Sequence, residues 1–193
     1  MKKTDIIFTL EESGRKLFTT EELRKLLELK KDNTLYKTAE RLVTEKILIR
    51  LSKGKYLYRN AKPHDFEIAN FLYPPSYISF ESALNFYNIL VQTPYDISSA
   101  TPLRNSVIRF HNRECIYTHI APCAFFGYRR EGAFLIATKE KAFADLMYLA
   151  SKGLKRINIE DLDLSQINKR EFYSILKKIS NKPLNNFAKK FMK

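Results

Sequence analysis

The order of hydrophobic patterns in the first 60 residues constrains the fold of this chain most strongly. Apolar residues recur at helical spacing as far as Glu45, and from Ile47 onward the pattern changes to short β-branched and aromatic stretches. The two strand-like stretches are Ile47–Leu51 and Tyr56–Tyr58, with a basic turn between them in which Gly54 supplies a positive φ. This order predicts three helices followed by a β-hairpin.

The first two predicted helices have recognisable ends. The first covers residues 4–13 and ends at Gly14. The second begins with a capping box, in which Thr19 caps the helix and Glu22, three residues later, reaches back to the cap. Leucines then repeat at helical spacing, and we expect this helix to end near Leu29.

The third predicted helix, from Asn33 or Thr34 to Glu45, separates apolar residues from polar ones. Leu35 and Ala39 fall on its apolar face, and polar side chains occupy the opposite face. Such a unit is typical of a winged helix-turn-helix, whose second paired helix enters the major groove while the hairpin contacts phosphates. The side chains predicted to bind DNA are those of Lys31, Asn33, Thr34, Tyr36, Lys37, Arg41, Lys53 and Lys55.

Charge supports this interpretation, because the net charge of +13 lies at the two ends of the chain. Residues 1–62 carry 16 basic and 9 acidic side chains, residues 63–168 carry 10 and 11, and residues 169–193 carry 8 and 1. A cationic protein favours polyanionic partners. For the last segment two interpretations stay open: a second phosphate-binding surface, or a pair of helices whose charges are simply solvated.

A second domain is predicted from the boundary at Lys62-Pro63-His64. Residues 1–62 then form the winged helix-turn-helix and residues 63–193 a larger mixed domain, so that the fold class is α+β. Its predicted helices cover 65–72, 80–89, 139–149, 160–164 and 169–179, the second with Ser79 as N-cap and the third with a capping box that starts at Thr138. Its strand candidates are 96–100, 107–110, 114–120, 125–128 and 134–136.

We expect no enzyme, no metal site and no cofactor, because the sequence has no phosphate-binding glycine loop, nucleophile motif or metal-ligand spacing. Glu140 and Asp145 are interpreted as a helix-start acid and an acid on a solvated helix face. Cys115 and Cys123 could form one bridge, but two reduced thiols fit better. No apolar stretch suits a signal peptide or a membrane span, which predicts a cytoplasmic protein.

Five strings of the second domain stand out in order along the chain: Pro75–Leu84, Thr93–Pro102, Phe126–Tyr128, Ile136–Ala142 and Asp145–Leu146. Taken together they resemble the AbiEi antitoxin family. The similarity covers nearly the whole chain and is weakest in the last 25 residues. One departure is Lys139, where the family usually has proline, and both residue types suit the first turn of a helix.

The resemblance implies a bacterial antitoxin of a type IV toxin–antitoxin system, connected with abortive phage infection. In such a protein the winged helix binds inverted repeats in double-stranded promoter DNA and represses its own operon. The larger domain counteracts a nucleotidyltransferase-like toxin without requiring a stable complex. The alternative from the residues is a protein-interaction module without sequence-specific DNA binding, and a third interpretation is a nuclease or transferase.

Overall fold

The computed structural model describes residues 2–110, 112–156 and 158–191 of the chain. The chain divides into two compact units, residues 1–64 and 65–193, and each contains helices and one β-sheet. The predicted α+β class is therefore confirmed. None of the helices in the described part of the chain is both long and apolar enough to cross a lipid bilayer.

The first unit has the three predicted helices and the predicted hairpin, together with one additional short strand. That strand pairs antiparallel with the second strand of the hairpin, where Leu17 lies opposite Leu57, and gives a sheet of three strands. The elements are α1 (Lys3–Glu12), β1 (Leu17–Thr19), α2 (Thr20–Leu26), α3 (Asp32–Thr44), β2 (Leu48–Ser52) and β3 (Lys55–Tyr58).

The capping box at the start of α2 is confirmed. The Thr19 hydroxyl accepts a hydrogen bond from the Glu22 backbone N–H at 3.2 Å, and the Glu22 carboxylate accepts one from the Thr19 backbone N–H at 2.8 Å. Both bonds satisfy donors that a helix start would otherwise leave unpaired. Because Thr19 also belongs to β1, the box fixes the angle at which the strand enters the helix.

One hydrophobic core holds the helices of the first unit on its sheet. Leu10, Phe18, Leu23 and Leu35 are at most 1% exposed, and they come from α1, β1, α2 and α3 respectively. The buried set of this core is Ile6, Leu10, Phe18, Leu23, Leu27, Leu35, Ala39, Leu42, Ile47, Leu48, Tyr56 and Tyr58.

The second unit is built on a six-stranded mixed sheet with the strand order β6-β7-β5-β4-β9-β8. The pairs β5–β7 and β4–β9 are parallel, and the other neighbours are antiparallel. The elements are α4 (Asp65–Leu72), β4 (Tyr77–Ile78), α5 (Phe80–Phe86), β5 (Ile97–Thr101), β6 (Ser106–Phe110), β7 (Arg113–His119), β8 (Tyr128–Glu131), β9 (Phe134–Ala137), α6 (Lys139–Ser151), α7 (Lys169–Ile179) and α8 (Lys182–Phe191).

The prediction of a helix over residues 160–164 is wrong. The segment contains two separate 3-10 turns, at Ile159–Asp161 and Leu164–Gln166. Between them the Asp163 backbone N–H donates to the Ile89 carbonyl at 2.8 Å, and Leu162 forms a β-bridge with Leu90. These tertiary bonds take the backbone groups that a continuous helix would need. Residues 192 and 193 of the predicted basic stretch lie outside the described residues.

Two predicted helix caps of this unit also need correction. Thr138 caps α6 through a bond from the Lys141 N–H, but no capping box forms because the third helical residue is a lysine rather than Glu or Gln. Ser79 precedes α5 as predicted, yet its side chain makes no cap bond, since it donates to the Asp145 carboxylate instead. Cys115 is buried, Cys123 is exposed, and both thiols are free.

Glycine is required at the hairpin turn more strongly than at the end of α1. Gly54 and Gly14 both have positive φ, so alanine at either position costs about 1–2 kcal/mol. A Cβ on Gly54 would also lie 3.0 Å from the Thr20 hydroxyl oxygen, whereas one on Gly14 would meet nothing within 4 Å. Gly54→Ala should therefore lower the free energy of unfolding more than Gly14→Ala in urea denaturation followed by circular dichroism, and equal losses would contradict this packing.

Candidate functional site

Helix α3 presents the predicted DNA-binding side chains on one face. It buries Leu35, Ala39 and Leu42 in the core of the first unit, which leaves the opposite face to solvent. Tyr36 in particular is 58% exposed although it is aromatic. The exposed residues of α3 and its N-cap that were predicted to bind DNA are Lys31, Asn33, Thr34, Tyr36, Lys37 and Arg41.

An arginine of α2 fixes the start of α3. The Arg24 guanidinium donates to the Glu21 carboxylate at 3.1 Å on its own helix and also forms an ion pair with Asp32 in the first turn of α3. A carboxylate in that position interacts favourably with the helix dipole. Arg24 therefore contributes to the geometry of the two helices, and its charge is already matched by two acids.

The cations on the α3 face differ in how strongly the protein holds them. Neither Lys31 nor Lys37 forms an ion pair with another residue in the described ranges. The Arg41 guanidinium lies 4.0 Å from the Glu45 carboxylate, which also takes the Lys3 ammonium at 3.4 Å. Exposed pairs of this kind contribute about 0–1 kcal/mol, so Arg41 can change partner at little cost.

The acidic residue on this face is neutralised from the hairpin. Glu40 forms an ion pair with Arg50 of β2, and the Arg50 guanidinium also lies 5.8 Å from the centre of the Tyr56 ring. The pKa of Arg50 is raised, mainly by its hydrogen bond to Glu40. A negative charge that would repel phosphate is therefore matched, and the same contact connects the exposed face of α3 to the hairpin.

The basic turn of the hairpin is attached to the helices as well. The Gly54 carbonyl accepts a hydrogen bond from the Thr20 backbone N–H at 2.9 Å, which joins the turn to the start of α2. Lys53 is exposed in this turn, and three residues of extended chain, about 10 Å, separate it from Arg50. Lys55 lies in β3 and is half-buried, and desolvation lowers the pKa of its ammonium group.

A second cluster of chemically active side chains lies buried in the second unit. The Lys141 ammonium forms an ion pair with Asp145 one turn further along α6 and donates to the Tyr77 hydroxyl at 2.8 Å. Asp145 accepts from the Tyr77 hydroxyl at 2.9 Å and from the Ser79 hydroxyl at 2.8 Å. Burial raises the pKa of the Asp145 carboxyl, and the Lys141 charge opposes this rise.

The loop before β8 closes over this cluster. The Phe126 ring centre lies 5.4 Å from the Lys141 ammonium, and Gly127 lies against the aliphatic part of the lysine. A Cβ at Gly127 would be 3.0 Å from the Lys141 Cγ, and the φ of +73° also suits glycine. Glycine thus allows the backbone to pass directly over the lysine side chain.

The interpretation of Asp145 as an acid on a solvated face is wrong. Its side chain is 1% exposed, that of its partner Lys141 is 0% exposed, and Glu140 is also buried, with its carboxylate accepting from the Asn168 backbone N–H at 3.1 Å. Serine, lysine, aspartate and tyrosine are residue types used in acid–base chemistry, but solvent reaches neither charged group here. The arrangement supports a structural role in joining α6 to β4 and the loop before β8.

The sequence contained a signal for this cluster. From Ala142 to Leu149, α6 has an apolar residue at every position except Asp145, so the helix has no polar face on which Lys141 or Asp145 could be solvated. Two opposite charges four residues apart on such a helix must pair with each other. Three separate parts of the sequence meet at this cluster, and they supply Tyr77 and Ser79, Phe126 and Gly127, and Lys141 and Asp145.

Comparison with known proteins adds no assignment. No protein-family model matches this chain, and no curated protein matches it. Within the described residues, no three histidine, cysteine or acidic side chains are grouped so that they could hold a metal ion.

Removing one partner of the buried pair should destabilise the second unit strongly. Lys141→Met leaves the Asp145 carboxyl buried without its counter-charge, and we expect a loss of about 3–5 kcal/mol in the free energy of unfolding. The matched control is Arg109→Met in the exposed pair with Glu114, where Arg109 is 83% exposed and the loss should stay below about 1 kcal/mol. Chemical denaturation of both variants measures the difference, and similar small losses would show that the cluster contributes little.

Proposed function

We propose that residues 1–64 form a winged helix-turn-helix that binds duplex DNA, and that the chain is a transcriptional repressor and antitoxin. The order of elements supports this, because α2 and α3 follow each other with five residues between them and the hairpin β2–β3 comes next. In this fold the second helix of the pair is the one that enters the major groove. That helix is α3.

Each part of the α3 face suits a different contact with DNA. Asn33 and Thr34 lie in the first turn, where recognition helices direct side chains towards base edges. Lys37 lies one turn further and can contact a phosphate or a guanine edge. Lys53 on the hairpin turn suits a neighbouring phosphate. One observation carries the proposal. The exposed face of α3 has lysines without ion-pair partners among the described residues, whereas its Glu40 is paired with Arg50.

The repressor and antitoxin roles rest on the resemblance to the AbiEi family. They imply an operator with inverted repeats in the chain's own promoter and a nucleotidyltransferase-like toxin as functional partner. A reporter gene behind that promoter tests the first role, and co-expression with a neighbouring nucleotidyltransferase-like gene tests the second. Unchanged reporter output would contradict repression, and unchanged toxicity would contradict the antitoxin role.

A protein-interaction module is the second candidate, and one observation favours it. Phe8 on α1 is 63% exposed, and a large aromatic side chain in solvent is common at protein-binding surfaces. Under this alternative, a pull-down would recover one stoichiometric partner and promoter DNA would not bind. Promoter binding together with loss of binding in α3 variants favours the first candidate.

DNA affinity should depend on Lys37 more than on a matched cation outside the proposed interface. Lys37→Ala should weaken operator binding by about 1–3 kcal/mol if the lysine reads a base. If it contacts a phosphate, the salt slope should become shallower by about 0.9. The control is Arg59→Ala, which removes an exposed charge at the base of the hairpin, where the Arg59 N–H bonds to the Ile47 carbonyl.

Fluorescence anisotropy titrations over a range of salt concentrations measure both quantities. Wild-type protein should lose affinity steeply as salt rises, because each neutralised phosphate releases counterions. Equal binding to operator and unrelated duplex would exclude a specific repressor. Equal behaviour of the Lys37 and Arg59 variants would show that α3 does not form the interface.

A further inference from the structure

Within the described ranges, the basic side chains of α7 lack the acidic partners that four arginines of the first unit have. In the first unit, Arg15, Arg24, Arg41 and Arg50 each lie within 4.0 Å of a carboxylate. In α7 none of the basic side chains forms an ion pair with a residue that the structure describes, although Glu171 lies on the same helix.

Three of the four basic side chains of α7 share one side of the helix, and the fourth, Lys178, lies outside it. At 100° per residue, Lys169, Arg170, Tyr173 and Lys177 fall within an arc of about 100°, and all four are exposed. We call these four residues the α7 cationic face. The buried residues of α7, which are Phe172, Leu176 and Ile179, lie on an adjacent arc that borders this face next to Lys169.

The face is presented by an anchored helix. The Phe172 ring packs 5.2 Å from the Phe143 ring of α6, measured between centres. The Asn168 side chain caps α7 by accepting from the Arg170 N–H at 3.0 Å, and its own N–H donates to the buried Glu140 carboxylate. Binding through such a helix avoids most of the entropy that a disordered basic tail loses on becoming ordered.

Helix stability accounts for some of these charges but not for all of them. Lys177 lies in the last turn of α7, where a cation interacts favourably with the helix dipole. Lys169 and Arg170 lie in the first turn, where the same dipole disfavours positive charge. Helix stability therefore does not explain Lys169 and Arg170, and both charges are exposed to an external anion.

We propose that the α7 cationic face is a second nucleic-acid surface, which binds the phosphate backbone of duplex DNA without reading sequence. Lys169 and Lys177 are eight residues apart, about 12 Å along the helix, and this length spans about three successive phosphates of one strand. The Tyr173 hydroxyl between them adds a neutral phosphate donor. This surface is independent of the α3 interface, and it binds DNA whether or not the first unit recognises an operator.

The test uses the full chain and a short duplex without inverted repeats. The double variant Lys169→Gln/Arg170→Gln should bind this duplex with a salt slope shallower by about 1.8, which corresponds to two phosphate contacts. Its thermal stability should match or slightly exceed that of the wild type, because both charges oppose the helix dipole. Loss of stability would indicate a structural role for the two residues and would overturn the proposal.

The matched control is Arg104→Gln/Arg130→Gln, which removes two exposed charges elsewhere in the second unit. Equal slopes for the two double variants would overturn the proposal, because general charge would then explain the binding. If the chain binds a poly-glutamate peptide but does not bind the duplex, the proposal is also overturned.

Titration of Lys37→Ala and of the Lys169/Arg170 variant with the operator and with the duplex that lacks inverted repeats separates this inference from the proposed function. If Lys37→Ala leaves operator binding unchanged while the Lys169/Arg170 variant loses slope, the α3 interface fails and the α7 surface stands. If only Lys37→Ala weakens binding, the α3 interface stands and the α7 surface fails.

Discussion

A helix that buries Leu35, Ala39 and Leu42 has only one face left for its polar residues, and this constraint organises the first unit. The core decides which side of α3 is exposed, and the Arg24–Asp32 pair connects the first turn of α3 to α2. Packing therefore decides which side chains of α3 face solvent. Because Arg50 matches Glu40, the remaining charge on that face is positive.

The second unit shows what happens when a helix has no free face. Helix α6 is buried along almost its whole length, so Lys141 and Asp145 pair with each other and take hydroxyl donors from β4 and the residue before α5. Buried charges are tolerated only when matched in this way. The same unit presents Lys169 and Arg170 without such partners among the described residues, and this contrast separates charges that stabilise the fold from charges available to a ligand.

Sequence patterns predicted the helices of the first unit and its hairpin because each has periodicity or a cap of its own. The strand β1 was missed, since three residues carry no detectable alternation and its position depends on pairing with β3. The helix predicted at 160–164 was wrong because bonds to Ile89 and Leu90 decide that segment. The apolar run around Asp145 indicated that it is buried, but its hydroxyl partners Tyr77 and Ser79 lie more than sixty residues away and could not be identified from sequence.

The central claim is that α3 and the hairpin turn lie against DNA. The most direct measurement is an NMR titration of the isotopically labelled full chain with its own promoter duplex, in which amide signals are followed residue by residue. The account predicts that the largest changes occur at residues 31–41 and at 53–55. Changes confined to the surface around Phe8, or no changes in the first unit, would contradict it.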